Sequence, residues 1–321
     1  MTLLVGTDEA GYGPNLGPLV VSASVWRISD SQQDLDLYRR LGQAVTSSVN
    51  EKEPASRLAI ADSKLLYKPG GGLKNLEQGV LPFIDLDISN SIPWKQLFCH
   101  LDPQCESELA TVPWYQHFET AIPFDSDQDQ IVAIQTKLNS EYARAGVHFE
   151  KIRSRLVFPE CLNNAIDERG NKATALSIVT LSLVREMIEG SNDSRIVIHC
   201  DKHGGRNRYG SLLQQIFPDY LIEVHQEGRM ESVYRWGPAE RRVEIRFTAK
   251  GERCMASALA SMTSKYLREL AMEAFNQFWC RQVPGLRRTA GYPVDAKRFR
   301  NEIESTRKKL AIDNRILWRN R

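Results

Sequence analysis

The stretch VGTDEAGYGPNLGPLVVSASVW, residues 5–26, decides how the rest of the chain is interpreted. An apolar run ends in two adjacent acids, Asp8 and Glu9, and a loop with three glycines and two prolines leads into a second apolar run. Two carboxylates at the end of a buried strand are costly to desolvate unless a cation or a ligand compensates their charge. The stretch therefore predicts two strands joined by a tight loop, with a chemical function where the first strand ends.

Length and composition indicate an ordinary globular protein. The chain has 321 residues, of which 42% are hydrophobic and 26% charged. Its six cysteines show no CxxC spacing, which argues against a zinc site and a disulfide framework and favours a reduced compartment. No stretch approaches the roughly 20 apolar residues of a membrane span, and no basic segment precedes a long apolar run. We expect a soluble, cytoplasmic monomer without membrane contact.

The net charge of +2 conceals a basic C-terminal segment. Residues 281–321 contain twelve Lys or Arg and four acidic residues. Such an excess indicates a polyanionic partner. A solvated surface helix is the alternative interpretation, because VDAKRFRNEIESTRKKLAI combines helical spacing with mixed charge.

The hydrophobic patterns predict a mixed α/β order. Apolar and alternating runs predict strands at residues 2–8, 18–27, 194–201, 220–226, 231–236 and 241–249. Helical spacing predicts helices at residues 171–190 and 254–279. Residues 71–160 show little periodicity, and we interpret them as an insertion in the α/β core.

Four acids follow three of the predicted strands: Asp8 and Glu9, then Asp201, then Glu252. Residues beyond strand ends line the functional edge of an α/β sheet. Clustered carboxylates suit hard cations such as Mg²⁺, which often share their ligands with substrate phosphates. Two such ions about 4 Å apart can cleave a phosphodiester.

Each of these acids, taken alone, also has a structural interpretation. An acid can cap a turn, form an Asx-turn before glycines, or favour the first turn of a helix. His199 and His203 flank Asp201, but one strand position and one loop position make a poor metal pair. We interpret both histidines as structural.

Several segments together resemble one enzyme family. TDEAGYGPNLGPLVVSA resembles the opening signature of type 2 ribonuclease H enzymes, and ADSKLLY resembles their Asp-Ser-Lys motif. IVIHCDKHGG and KGERCMASALASMTSKYLREL are similar to the segments that carry their third and fourth acids. AGYPVDAKRF and DNRILWR resemble their closing elements. The resemblance covers roughly residues 1–70 and 165–321.

The resemblance implies a ribonuclease H-like fold, with a mixed and mostly five-stranded sheet flanked by helices. It implies a catalytic domain over residues 1–275, elaborated at about 71–160, and a basic helical C-terminal region over 276–321 that helps to hold the duplex. It also implies endonucleolytic cleavage of RNA in RNA/DNA hybrids, or at ribonucleotides embedded in duplex DNA, with 3′-hydroxyl and 5′-phosphate products. The implied cofactor is a pair of Mg²⁺ or Mn²⁺ ions.

By the same resemblance, the catalytic and metal-binding positions are Asp8, Glu9, Asp201 and, near the fourth position, Glu252. The implied substrate contacts are Gly11, Tyr12, Gly13, Ser63, Lys64, Arg206 and Lys265. Tyr12 stands where the family has a basic residue, but the flanking glycines still allow backbone amides to approach a ribose 2′-hydroxyl. Phe278 or Trp279 is the candidate for an aromatic residue that stacks near the cut.

Two other functions stay open at this point. The first is a nucleic-acid-binding protein that has the same fold but no catalytic activity. The second is an actin-like phosphotransferase, because VGTDEAGYG also resembles a strand followed by a phosphate hairpin. That fold needs a second, similar domain and binds ATP.

Overall fold

The structure is a computed structural model that describes residues 1–29, 34–49, 57–68, 70–249 and 254–320. The strands are β1 (Thr2–Ala10), β2 (Leu19–Ile28), β3 (Val45–Thr46), β4 (Leu58–Ala59), β5 (Ile92–Pro93), β6 (Ala121–Ile122), β7 (Val147–Val157), β8 (Arg195–Asp201), β9 (Glu223–Glu227), β10 (Glu231–Trp236) and β11 (Arg242–Thr248). The helices are α1 (Leu37–Arg40), α2 (Ser63–Leu66), α3 (Lys74–Val80), α4 (Trp94–Leu101), α5 (Glu106–Thr111), α6 (Pro113–Gln116), α7 (Gln128–Ala145), α8 (Pro159–Arg169), α9 (Lys172–Ile188), α10 (Gly210–Ile216), α11 (Met255–Gln282), α12 (Pro293–Lys309) and α13 (Asn314–Leu317).

One seven-stranded sheet organises the molecule, in the order β7-β2-β1-β8-β11-β10-β9. The pairs β1–β8 and β8–β11 are parallel and the other pairs are antiparallel. The predicted mixed sheet with flanking helices is confirmed, with seven strands instead of five. The other strands in the described ranges form only two-stranded sheets. The second domain that an actin-like phosphotransferase needs is therefore absent from the described residues.

The seventh strand, β7, lies within the segment interpreted as an insertion. Its sequence, VHFEKIRSRLV, is rich in charges, which obscured its alternation. It pairs antiparallel with β2 at the edge of the sheet and buries Ile152, Ser154 and Leu156. A charged outer face is typical of an edge strand, because it discourages pairing with a further chain.

The strand β1 separates two apolar cores. Leu4 belongs to the core that contains α11, whereas Leu3 and Val5 belong to the core that contains α9. This division follows from the alternation of side chains along a strand. The helix α11 continues without interruption across residue 275, where the catalytic domain was predicted to end. The boundary between the two predicted regions stays a prediction.

Close contact between α11 and the sheet depends on small residues. A Cβ atom on Gly6 would lie 2.2 Å from the backbone nitrogen of Ser257. The hydroxyl of Ser24 donates to the carbonyl of Ala256 at 2.8 Å, and that of Ser264 donates to the carbonyl of Asp8 at 3.1 Å. The small-residue face of α11 thereby sets the helix directly over the end of β1.

The insertion is anchored to α11 through a buried carboxylate. Glu77 is fully buried and accepts hydrogen bonds from the amides of Phe124, Asp125 and Ser126 at 2.5, 2.8 and 2.7 Å. The hydroxyl of Tyr266 in α11 also donates to Glu77, at 2.8 Å. Several donors to one buried carboxyl group offset the cost of burying it.

Much of the basic C-terminal charge is compensated locally. In the described part of residues 281–321, ion pairs join Arg287 and Arg298 to Asp295, Arg298 to Glu302, Arg307 and Lys308 to Glu304, Arg288 to Glu273, and Arg315 to Asp167. The solvated-helix interpretation therefore accounts for part of this segment. Among the described residues, no helix combines the length and apolar composition that a membrane crossing requires.

Candidate active site

The parallel register of β1 and β8 brings two of the predicted acids together. Thr7 is paired with Cys200, so Asp8 and Asp201 are the next residues on neighbouring strands. Both lie on the face that packs against α11, since each is an even number of residues from Leu4 or Val197 in that core. Adjacent strands are about 4.8 Å apart, which places the two acids side by side at the end of the sheet.

Glu9 occupies the opposite face of the same edge, towards α9. Its charge contributes to a raised pKa of Tyr12, whose main cause is burial. Burial raises the pKa of the Cys200 thiol to about 12, and the charges of Asp201, Glu9 and Asp8 act in the same direction. All three acids thus act electrostatically on one buried thiol at the sheet edge.

The donor chemistry at this edge fits a hard divalent cation. Asp8 and Asp201 offer only oxygen donors, and Asp8 is 7% exposed, so a cation would offset the burial of its charge. Within the described ranges, no three His, Cys, Asp or Glu side chains meet in a metal-holding group. The fourth predicted ligand, Glu252, lies outside the described residues. The site that the structure describes is therefore a pair of carboxylates with a third on the other face.

The two glycines of the loop after β1 differ in what they permit. Gly11 has a φ of 90°, and a Cβ there would lie 2.6 Å from Nε of Arg268. Gly13 has room for a side chain, because the nearest atom found to an added Cβ is Cε1 of Tyr292 at 3.9 Å. Gly11 is thus required by the fold, whereas the space beside Gly13 is open to a ligand.

Arg319, near the C-terminal end, forms hydrogen bonds with the loop after β1. Arg319 is fully buried, and its Nη2 donates to the carbonyls of Gly11, at 2.5 Å, and Pro14. The amide of Arg319 donates to the carbonyl of Asn15 at 2.9 Å. Burial lowers the pKa of Arg319 to about 9, with a contribution from the Arg268 guanidinium. No sequence pattern near the end of the chain indicates this contact.

Two of the predicted substrate contacts lie on α2, which packs against α11. Asp62 caps α2 by accepting a hydrogen bond from the amide of Lys64 at 3.0 Å. Ser63 is buried, and its hydroxyl accepts from that of Ser261 at 3.2 Å. Lys64 is exposed. In this structure Ser63 therefore anchors α2, and Lys64 faces solvent.

Lys265 lies on α11, one residue after the serine that contacts Asp8. Its Nζ donates to Glu269 at 2.6 Å and lies 4.3 Å from the centroid of the Tyr67 ring. The Tyr67 hydroxyl donates to the same carboxylate at 2.8 Å. The ammonium is thus held in a fixed position by an ion pair and an aromatic face.

Tyr12 and Arg206 lie on the α9 side of the edge. The Tyr12 hydroxyl would contact a Cβ on Gly204 at 2.7 Å, so the absence of a side chain at residue 204 makes room for it. Nη2 of Arg206 donates to the hydroxyl of Thr174, in the first turn of α9, at 2.6 Å. Tyr12 therefore packs against the loop after β8, and Arg206 of that loop contacts the start of α9.

The aromatic candidates at the end of α11 require a correction. Trp279 is fully buried and packs edge-on against Phe278, with ring centroids 5.2 Å apart. Both rings also contact Trp114 of the insertion. The Trp279 ring is therefore not accessible for stacking on a base, whereas Phe278 is only partly buried and stays a candidate. Tyr292, 55% exposed beside Gly13, is the aromatic residue at the site that sequence analysis missed.

The histidines beside Asp201 have the surroundings of structural residues. His203 is buried and its Nδ1 is 3.0 Å from the hydroxyl of Ser177. Burial lowers its pKa to about 3 and that of His199 to about 4. Both imidazoles are neutral at pH 7.

Comparisons with known proteins find similar chains among solved structures. No protein-family model matches the chain, and no curated protein sequence matches it. The chain is similar to the crystal structure of ribonuclease H2 from Pyrococcus horikoshii OT3, with 18% identity, a TM-score of 0.43, and coverage of 98% of this chain and 92% of that one. It is similar to RNase HII in the PCNA complex from Archaeoglobus fulgidus, with 13% identity, a TM-score of 0.42 and coverage of 99% and 94%. A third similar structure is Bst-RNase HIII in complex with Mn²⁺, with 12% identity, a TM-score of 0.40 and coverage of 99% and 66%.

Proposed function

We propose that this protein is a metal-dependent endonuclease that hydrolyses RNA in RNA/DNA hybrids or at ribonucleotides embedded in duplex DNA. Cleavage would leave a 3′-hydroxyl and a 5′-phosphate. One observation carries the proposal: the register of β1 and β8 sets Asp8 and Asp201 side by side, on one face, at the end of the sheet. Oxygen donors in this arrangement are suited to Mg²⁺ or Mn²⁺ beside a phosphodiester.

Asp8 and Asp201 would hold the cation, and Glu9 and Glu252 are the further ligands that we propose. When bound, divalent ions lower the pKa of a coordinated water and stabilise charge on the phosphate oxygens. The small-residue contacts between α11 and β1 hold Asp8 in place. This contact fixes the backbone of Asp8, and a backbone that is already positioned needs less ordering when the site binds an ion.

The loop after β1 would recognise the ribose. Its glycines leave backbone amides without covering side chains, and the 2′-hydroxyl is the group that distinguishes RNA from DNA. The open space beside Gly13 is where a sugar can come close, with Tyr292 available for stacking. Phosphates of the substrate would be contacted by Lys64, Arg206 and Lys265, whereas the Ser63 side chain is buried and anchors α2.

The two loop glycines should respond differently to substitution. We expect Gly13→Ala to weaken binding of an RNA/DNA hybrid about tenfold, because a single added methyl in a close contact has effects of this size. Its melting temperature should stay that of the parent, since the nearest described atom apart from the neighbouring residues, Cε1 of Tyr292, lies 3.9 Å from the new methyl. Gly11→Ala should instead cost more than about 1 kcal/mol of unfolding free energy, because its φ is positive. Equal thermal destabilisation by both substitutions would show that Gly13 serves the fold.

Cleavage of end-labelled substrates tests the proposed function. The purified protein would be incubated with an RNA/DNA hybrid, a DNA duplex with one ribonucleotide, and plain duplex DNA, each with Mg²⁺, Mn²⁺ or EDTA. We expect cuts only in the substrates that contain RNA and only with metal. Binding of the hybrid without any cut would favour the non-catalytic alternative, and cleavage in EDTA would exclude the metal mechanism.

A further inference from the structure

A second group of basic residues lies across the sheet edge from Lys64 and Lys265, at the start of α9. Lys172 is the first residue of α9, and the helix is capped by Asn171, which accepts from the amide of Thr174 at 2.8 Å. Nζ of Lys172 lies 5.1 Å from the centroid of the Tyr12 ring. Arg206 contacts the same helical turn through Thr174. The two cations therefore flank the aromatic residue of the glycine loop.

The Tyr12 ring fixes the position of this group. The ring is partly buried against the α9-side core, and its hydroxyl fills the space above Gly204. An ammonium over an aromatic face is attracted by the electrons of the ring, which favours one position of a long side chain. Lys172 is thereby held beside the loop that follows Asp8 and Glu9.

Two cations in one corner create a positive potential that attracts an anion. The Arg206 charge acts to lower the pKa of Tyr12, whereas burial and the Glu9 charge, which have larger effects, raise it. A nucleic-acid phosphate matches this corner, because it carries one negative charge and several acceptor oxygens.

We propose that Lys172 and Arg206 form a phosphate-binding site for the nucleic-acid backbone on the α9 side of the edge. This proposal rests on the proposed function and adds Lys172 to the substrate contacts. A nucleic-acid strand that reaches from this site on the α9 side to Lys64 and Lys265 on the α11 side would have to cross the sheet edge that carries Asp8 and Asp201. The carboxylates then face a phosphate in the middle of the bound strand, with cations on both sides.

The salt dependence of binding tests this site. A fluorescein-labelled RNA/DNA hybrid would be titrated with the protein in EDTA, which prevents cleavage, at several KCl concentrations. The slope of log K against log salt changes by about 0.9 for each phosphate contact in a B-form duplex. We expect Lys172→Met to reduce the magnitude of the slope by roughly this amount and to weaken binding several-fold, whereas Lys172→Arg should retain both values.

Matched variants separate this role from a structural one. Lys95→Met removes a lysine of α4 that contacts Glu119 in the insertion, and it should leave affinity and slope unchanged. Tyr12→Leu should weaken binding but change the slope of log K against log salt by less than the value for one phosphate contact, because both cations remain. A Lys172→Met protein that melts like the parent, and has the slope and affinity of Lys95→Met, would overturn the proposal.

The outcomes for this site and for the proposed function are distinguishable. If the parent binds the hybrid with the expected loss of slope in Lys172→Met, but never cuts it, the nuclease function fails and the phosphate site stands. If the parent cuts the hybrid and Lys172→Met keeps the parental slope, the phosphate site fails and the function stands. Absence of any binding by the parent would contradict both.

Discussion

Asp201→Asn is expected to slow cleavage of an RNA/DNA hybrid at least about a hundred- to a thousandfold, the usual effect of removing one group that stabilises transition-state charge. Asp8→Asn should have the same effect, since the two acids are neighbours across β1 and β8. The amide keeps the size of the side chain but loses the charge that attracts a divalent ion. The measurement is the single-turnover cleavage rate in Mg²⁺.

The fold should tolerate both substitutions. Neither removes apolar contact area, and loss of one of two adjacent negative charges relieves repulsion. We therefore expect the melting temperatures of both variants to equal or exceed that of the parent. Glu150→Gln is a matched control. Glu150 is an acid of the same sheet, and it pairs with Arg27 at the end of β2 that is far from Asp8. A parental rate in Asp201→Asn, or an equal loss in Glu150→Gln, would show that Asp201 has no special role.

Gly6→Ala should produce the largest change in stability. Its Cβ would lie 2.2 Å from the nitrogen of Ser257 and 2.3 Å from the carbonyl carbon of Ala256, so α11 must move away from β1. Overpacking of this kind costs about 1–3 kcal/mol, and occasionally more. We expect a clear fall in Tm by calorimetry. Cleavage should also slow, because the movement of α11 shifts the contact between Ser264 and Asp8.

A glycine with room for a methyl group provides the control. Gly210 begins α10, and its added Cβ would be 3.7 Å from the nearest ring atom of Tyr234. Gly210→Ala should therefore leave Tm unchanged or raise it, since alanine has the higher helix propensity. A Gly6→Ala protein as stable as Gly210→Ala would contradict the proposed packing of α11 on β1.

The parts of the fold that follow a simple pattern were predictable from sequence. The apolar runs before Asp8 and Asp201 identified the two strands whose register defines the site, because buried parallel strands are nearly continuous in hydrophobicity. The helices at residues 171–190 and 254–279 were also found, as α9 and α11. The acids could be assigned to strand ends before the structure was known, and their metal-binding role stays a prediction.

Features that depend on tertiary contacts were not predictable. Four of the eleven residues of β7 are charged, which obscures its alternation until the pairing with β2 is known. Arg319 is buried although arginine is rarely buried, and the carbonyls that accept from its Nη2 belong to the distant loop after β1. Trp279 and Tyr292 are both aromatic, and only the packing of the insertion shows which one is exposed.

The C-terminal end contributes to the site although no acid lies there. Trp318 bridges to Leu16 in the loop after β1, and Arg300 lies 4.9 Å from the centroid of its ring. Together with Arg319, these contacts make the geometry of the loop depend on the last residues of the chain. These contacts join the last described residues to the loop after β1.

Binding of Mn²⁺, followed by electron paramagnetic resonance, tests most directly the central claim that Asp8 and Asp201 share one cation. The parent, both single Asn variants and the double variant would be titrated with the ion in the absence of substrate. We predict that either substitution alone abolishes most of the binding and that the double variant loses little more, since ligands of one ion are not additive. Two independent and additive losses, or binding that survives in the double variant, would contradict the account.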